Sequence, residues 1–262
     1  MDVEKAFQTP AGASESVLRP REEDELIDDD DQKKYRSGVG MGLWLAKHSR
    51  PDIANAIREA SKVMDGATLG HYKYLMRVMK YLVHTMDSKL KFEPSGQKDG
   101  WRIDAYCDSD FSGDKDTRRS VTGYVVYFMN SPVAWCSRSQ KGVTLSSTEA
   151  EYVAISEVVT EIIFVRNLLK FLEVKVDEPV QINVDNIGAI YMAGNACSGS
   201  RTKHVDTRFH YVRELIEQGV VQVNFVKSEN NDADMFTKNL SKEIFLKHGR
   251  KLMSAFKGTE SA

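Results

Sequence analysis

From Trp101 the chain trades a helical period for a β period, and the order of elements that follows admits few folds. Ile103 to Cys107 reads as a first strand, and Ser120 to Asn130, rich in Val, Tyr and Phe, as a second. Asn130-Ser131-Pro132 is turn chemistry, and Val133 to Ser137 is the third strand. Short links predict that these three pair antiparallel. Ser146-Ser147-Thr148-Glu149 fits a capping box at the head of a helix reaching about Leu172. Its core stripe runs through Ala150, Ala154, Val158, Ile162, Val165, Leu169 and Leu172. Val180 to Val184 is a fourth strand, and Asp185-Asn186 caps a helix ending near Ala193. A further helix, His204 to Gln218, stops at Gly219, and Val221 to Val226 alternates as a fifth strand. Asp232 to Thr237 opens a helical end that continues from Ser241 to about Phe256. Strand–helix–strand steps require crossovers, usually parallel and right-handed. The expectation is an α/β fold with a mixed five-stranded sheet, three antiparallel strands joined to two parallel ones, and flanking helices.

Carboxylates fall at telling points of this frame. Asp108 lies at the end of the first strand and Asp185 just after the fourth. Glu151 sits about one turn into the long helix, and Asp234 at the start of the last segment. In open α/β sheets ligands gather at the carboxyl ends of strands. If strands one and four are neighbours, Asp108 and Asp185 face each other. Acids brought this close repel strongly without a cation. Oxygen donors favour Mg²⁺ or Mn²⁺, and a pair of such ions suits phosphodiester hydrolysis. Singly, each acid has a plainer reading. Asp185 is a helix cap, Asp110 and Asp114 are turn residues, Glu149 is a cap partner, and Asp232 rivals Asp234 as an N-cap or ligand.

Upstream, residues 35–100 read as a small helical module. Tyr35 to Lys47 carries Val39, Leu43, Trp44 and Leu45, and Pro51-Asp52 opens a new helix. Ile53, Ala56, Ile57, Ala60 and Val63 recur there at spacings of three and four. Gly70 precedes a helix with apolar Tyr74, Leu75, Val78, Met79, Tyr81 and Leu82, which also carries Lys73, Arg77 and Lys80. That basic strip is either a solvated face or a phosphate contact. Residues 1–34 read as an acidic flexible lead-in, with Asp28 to Asp31 solvated. Residues 101–240 hold the sheet, and 241–262 a C-terminal helix and tail.

A net charge of −2 excludes a polycation, so nucleic acid would be met through a local basic patch or metal ions. The three cysteines, Cys107, Cys136 and Cys197, lack Cys-x-x-Cys spacing, against zinc or a disulfide framework. That usage fits a reducing, intracellular compartment, cytoplasmic or nuclear. No signal peptide, bilayer-spanning run or membrane partner is expected.

The segments Y-C-D-S-D-F-S-G-D-K-D-T-R-R-S-V-T-G-Y, S-S-T-E-A-E-Y, V-D-N-I-G-A-I, S-R-T-K-H-V-D-T-R-F-H-Y-V-R-E and N-D-A-D-M-F-T-K resemble the ribonuclease H domain of copia-type retrotransposon Pol polyproteins. Upstream, Y-R-S-G-V-G and R-P-D-I-A-N-A resemble the end of the reverse transcriptase and its connecting segment in that family. The resemblance runs from about Tyr35 to Leu240. It implies a ribonuclease H-like fold and metal-dependent cleavage of the RNA strand of RNA–DNA hybrids. The family's catalytic, metal-binding acids map onto Asp108, Glu151, Asp185 and Asp234. Arg118, Arg119, Arg201, Lys203 and His204 are basic residues near the expected active face, suited to phosphate contact.

The chain also departs from the family. Many ribonucleases H carry a His in the loop after the fifth strand, where this chain reads K-S-E-N-N. A polymerase Tyr-x-Asp-Asp hairpin does not appear, so no polymerase activity is expected from this chain alone, and a missing reverse transcriptase domain is an expected partner. The rival readings are a catalytically inactive remnant that binds nucleic acid or packs on a polymerase, and another nuclease or transposase of the same fold.

Overall fold

The computed structural model describes residues 25–94, 100–114, 117–195 and 203–254, with backbone only for 203–209. The chain divides into two compact units, Phe92–Thr237 and the remainder, which comprises Met1–Lys91 with Lys238–Ala262.

In the helical unit, α1 (Asp29–His48) is followed by a 3-10 turn at Pro51–Ile53, α2 (Ala54–Ser61) and α3 (Leu69–His84). The acidic run departs from the expected lead-in by opening α1. Asp28 caps it by accepting the Asp31 N–H at 2.8 Å, and Asp29, Asp30 and Asp31 sit in the first turn. Negative charge there offsets the helix's positive end. α3 starts at Leu69, so Gly70 lies in its first turn; the cap is Thr68, in a box completed by the buried His71, whose Nδ1 accepts the Thr68 N–H at 3.0 Å. Asp52 is buried under a guanidinium. Arg50 Nε and Nη2 donate to its two oxygens at 2.9 and 2.7 Å, and Tyr81 adds its hydroxyl at 2.8 Å. The final helix is shorter than expected. α7 (Lys242–Leu252) gives way to β7 (Met253–Ser254), which pairs antiparallel with β1 (Lys89–Leu90).

The sheet unit has the expected topology. Its strands are β2 (Ile103–Asp110), β3 (Val121–Phe128), β4 (Ser131–Ser139), β5 (Val180–Val184) and β6 (Val221–Phe225). They lie in the order β4-β3-β2-β5-β6. β2–β3 and β3–β4 are antiparallel, while β2–β5 and β5–β6 are parallel. The β3–β4 turn falls at Met129-Asn130, one residue earlier than Asn130-Ser131-Pro132, and both residues have positive φ. That is the two-residue hairpin whose twist matches the strands. Pro132 therefore lies within β4, where edge position tolerates a missing donor.

The crossover helix α4 (Ser147–Phe171) covers one face of the sheet, and α5 (Ile187–Gly194) and α6 (Lys203–Glu217) complete this layer's helices. Ile103, Ala105 and Cys107 of β2, with Tyr124 and Val126 of β3, share a core with Ala154, Ile155, Val158 and Ile162 of α4. A fully buried Ile contributes about 1.5–3 kcal/mol. The α4 stripe fades early, because Leu169 is only partly buried and Leu172, the C-cap, is exposed. The opposite sheet face is covered by a 3-10 segment, Asp232–Phe236, whose five residues are all buried. Helix on one face and 3-10 turn on the other leave β3 buried along nearly its whole length. Among the described residues no helix is long and apolar enough to cross a membrane.

Candidate metal centre

Side chains alternate along a strand, so Asp108 points away from the face that Cys107 gives to the core. Its partner across the ladder is Gly123, on the same side. A Cβ on Gly123 would stand 2.6 Å from Thr237 Cγ2, 2.8 Å from Phe236 Cβ and 3.0 Å from the Ala233 carbonyl. The missing side chain lets the 3-10 segment settle on β3 beside Asp108. Asn231 holds its entry, donating to the Cys107 carbonyl at 3.0 Å and accepting from the Ala233 N–H at 3.1 Å.

This seating brings Asp234 to Asp108. Because β2 and β5 run parallel, Asp185 leaves β5 at the same end of the sheet. Asp108, Asp185 and Asp234 each offer a carboxylate oxygen within 4.8 Å of the others. Asp108 and Asp234 are buried and Asp185 is half-buried. Two full charges at such a separation repel by about 3 kcal/mol at an effective dielectric near 20. Asp232 takes a separate course, accepting the Tyr127 hydroxyl at 3.2 Å. Burial first, then the Asp232 charge, pushes the Tyr127 phenol well up.

Glu151 reaches the same end of the sheet from the first turns of α4. It is buried, and its Oε1 accepts the Ser109 N–H at 3.1 Å. It is not one of the three carboxylates that share the 4.8 Å group. Its charge is nonetheless felt nearby: burial first, then Glu151, Asp108 and Asp185, pushes the Cys107 thiol well up. The cap of α4 forms with a shift. Ser146 Oγ accepts the Glu149 N–H at 3.1 Å, while the Glu149 carboxylate reaches the Leu145 N–H at 2.7 Å.

Arg118 and Arg119 are exposed on the β2–β3 loop, which leaves the sheet two residues beyond Asp108. Arg201 lies outside the described residues, and Lys203 and His204 open α6 with undescribed side chains. Two contacts were not readable in the sequence. Ser228, in the loop after β6 that lacks a His, donates to Asp185 Oδ2 at 2.5 Å. Thr237 donates its hydroxyl to Asp108 Oδ2.

A mixed sheet in the order β4-β3-β2-β5-β6, with a crossover helix and carboxylates converging at the carboxyl end of its central strand, defines a ribonuclease H-like α/β domain. No protein-family model matches the chain. Curated relatives do: the chain is similar to retrovirus-related Pol polyproteins of copia-type transposons. It is 35% identical over 222 residues to the Pol polyprotein of transposon RE2 from Arabidopsis thaliana, covering 85% of this chain and 15% of that protein. It is 34% identical over 211 residues to that of transposon TNT 1-94 from Nicotiana tabacum, covering 80% and 16%. The chain thus spans about a sixth of the length of these relatives. Among solved structures, LC11-RNase H1, isolated from compost, overlaps at a TM-score of 0.40 and 14% identity, covering 52% of this chain and 92% of that one. Strand order and pairing, rather than this overlap, define the fold.

Proposed function

We propose that this chain is a divalent-metal-dependent endoribonuclease that hydrolyses the RNA strand of RNA–DNA hybrids, acting within a retrotransposon reverse transcriptase polyprotein. The observation that carries the reading is the convergence of Asp108, Asp185 and Asp234 within 4.8 Å at one end of the sheet. The donor set suits the ion: carboxylate oxygens that repel one another are the hard ligands Mg²⁺ and Mn²⁺ prefer. Asp108, Asp185 and Asp234 would hold it, with Glu151 beside them. A divalent ion bound there supplies charge for the phosphodiester transition state and activates water.

The chain's own residues supply the rest. Asp108 and Asp234 are buried and fixed by strand and 3-10 turn, so their oxygens are set before substrate arrives. Asp185 is half-buried and forms the rim that meets solvent and substrate. Arg118 and Arg119, exposed at the same end of the sheet, suit the phosphate backbone. Arg201, Lys203 and His204 are assigned the same task from the sequence. A hybrid-specific enzyme senses the 2′-OH and the A-like shape through backbone and minor-groove contacts. A reverse transcriptase domain is the protein partner this role calls for, and an intracellular setting goes with it.

The test is Asp185→Asn in the full chain. Cleavage of a hybrid should be lost while the circular dichroism spectrum is unchanged; full activity in this variant contradicts the reading. Hybrid binding without cleavage at any metal concentration would assign a non-catalytic module instead.

A further inference from the structure

Thr237 is 2% exposed and closes the 3-10 segment that carries Asp234. Its N–H donates to the Asp234 carbonyl at 3.2 Å, with its hydroxyl oxygen at the same distance. A hydroxyl has a single proton, and here it has a better acceptor, the Asp108 carboxylate. One residue thus ties the backbone of one acid to the side chain of another. The two acids come from elements more than a hundred positions apart in the sequence, so nothing local sets their separation. The methyl of Thr237 lies over Gly123, the ladder partner of Asp108, in a gap that any Cβ would fill.

We propose that Thr237 is a positioning residue that fixes the rotation of the Asp108 carboxylate and its distance from Asp234, with Gly123 providing the seat. This rests on reading the three acids as a metal centre. Two demands meet at position 237. The hydroxyl must reach Asp108, and the residue must end the turn without lifting it from β3. Partners one step removed from a metal ligand orient it, and their loss typically weakens the metal site. Ser228 makes the comparable bond to Asp185, but from an exposed loop, where water replaces a lost hydroxyl readily.

The experiment is calorimetric titration of Mg²⁺ and Mn²⁺ into the full chain, with melting temperatures recorded in chelator. Thr237→Val keeps the β-branched shape and the methyl on Gly123 but removes the donor. It should lose about 10-fold or more in metal affinity, with Thr237→Ser staying within about 3-fold of the parent. Should Thr237→Val not fold, Thr237→Ala, which only removes atoms, takes its place in the comparison. Parental affinity in the hydroxyl-less variant overturns the proposal. Equal loss in Thr237→Ser overturns it too, because keeping the hydroxyl would then not keep the affinity. If the parent itself binds neither ion, the metal reading and this inference fall together; a binding parent with an unaffected variant sinks this inference alone.

Discussion

Asp52 and Asp108 are both buried carboxylates that accept a hydroxyl, and they differ in the charges gathered around them. In the helical unit Asp52 receives both arms of Arg50 and the Tyr81 hydroxyl, so its charge is met within the chain. In the sheet unit Asp108 shares its space with Asp185 and Asp234, and with Glu151 close enough for both charges to act on the Cys107 thiol. Burial of charge is expensive in either place. The first arrangement locks the Pro51–Ile53 turn onto α3 and serves structure. The second accumulates like charge on separate elements, which burdens folding and suits a cation. Neighbouring charge, more than burial, separates a structural carboxylate from a functional one.

The largest effect that would sharpen this contrast is in catalysis. Asp108→Asn should lower hybrid cleavage by about a thousandfold or more, since it removes a charge acting directly on the reacting centre. Strand-specific gel assays measure this, and a loss under tenfold breaks the contrast. Arg50→Met should act on stability instead. Leaving Asp52 buried without its cation costs about 3–5 kcal/mol, readable in urea unfolding, while metal affinity of the folded protein stays unchanged. Added Mg²⁺ should stabilise the parent by about 2.7 kcal/mol at a hundred times its dissociation constant, and Asp108→Asn should show no such gain. The smallest effect belongs to the loop. Arg118→Ala and Arg119→Ala should each weaken hybrid binding evenly across sequences and reduce the salt slope by about one.

The sheet was legible because its periods are long and its links chemically marked. Val180 to Val184 and its cap at Asn186 appear where alternation and the Asp-Asn pair place them. The acids were legible as positions relative to strand ends, and strand neighbourhood then decides which of them meet. Other features had no such signal. β1 and β7 are two residues each and pair across most of the chain, too short for any period to register. Met129 takes positive φ in a tight turn although Met is no turn former, because the hairpin geometry overrides local preference. The acidic run at Asp28 to Asp31 reads as a solvated tail by composition, yet the same residues suit a helix's first turn. Thr237 and Ser228 are ordinary hydroxyls in sequence; only the fold brings each to a carboxylate.

The most direct measurement is cleavage of a hybrid labelled on both strands by the full chain, with Mg²⁺, with Mn²⁺ and with chelator. Metal-dependent loss of the RNA strand alone, with the DNA strand intact, is the predicted result. A folded protein that leaves the RNA whole at every metal concentration, or cuts it equally well in chelator, contradicts the account.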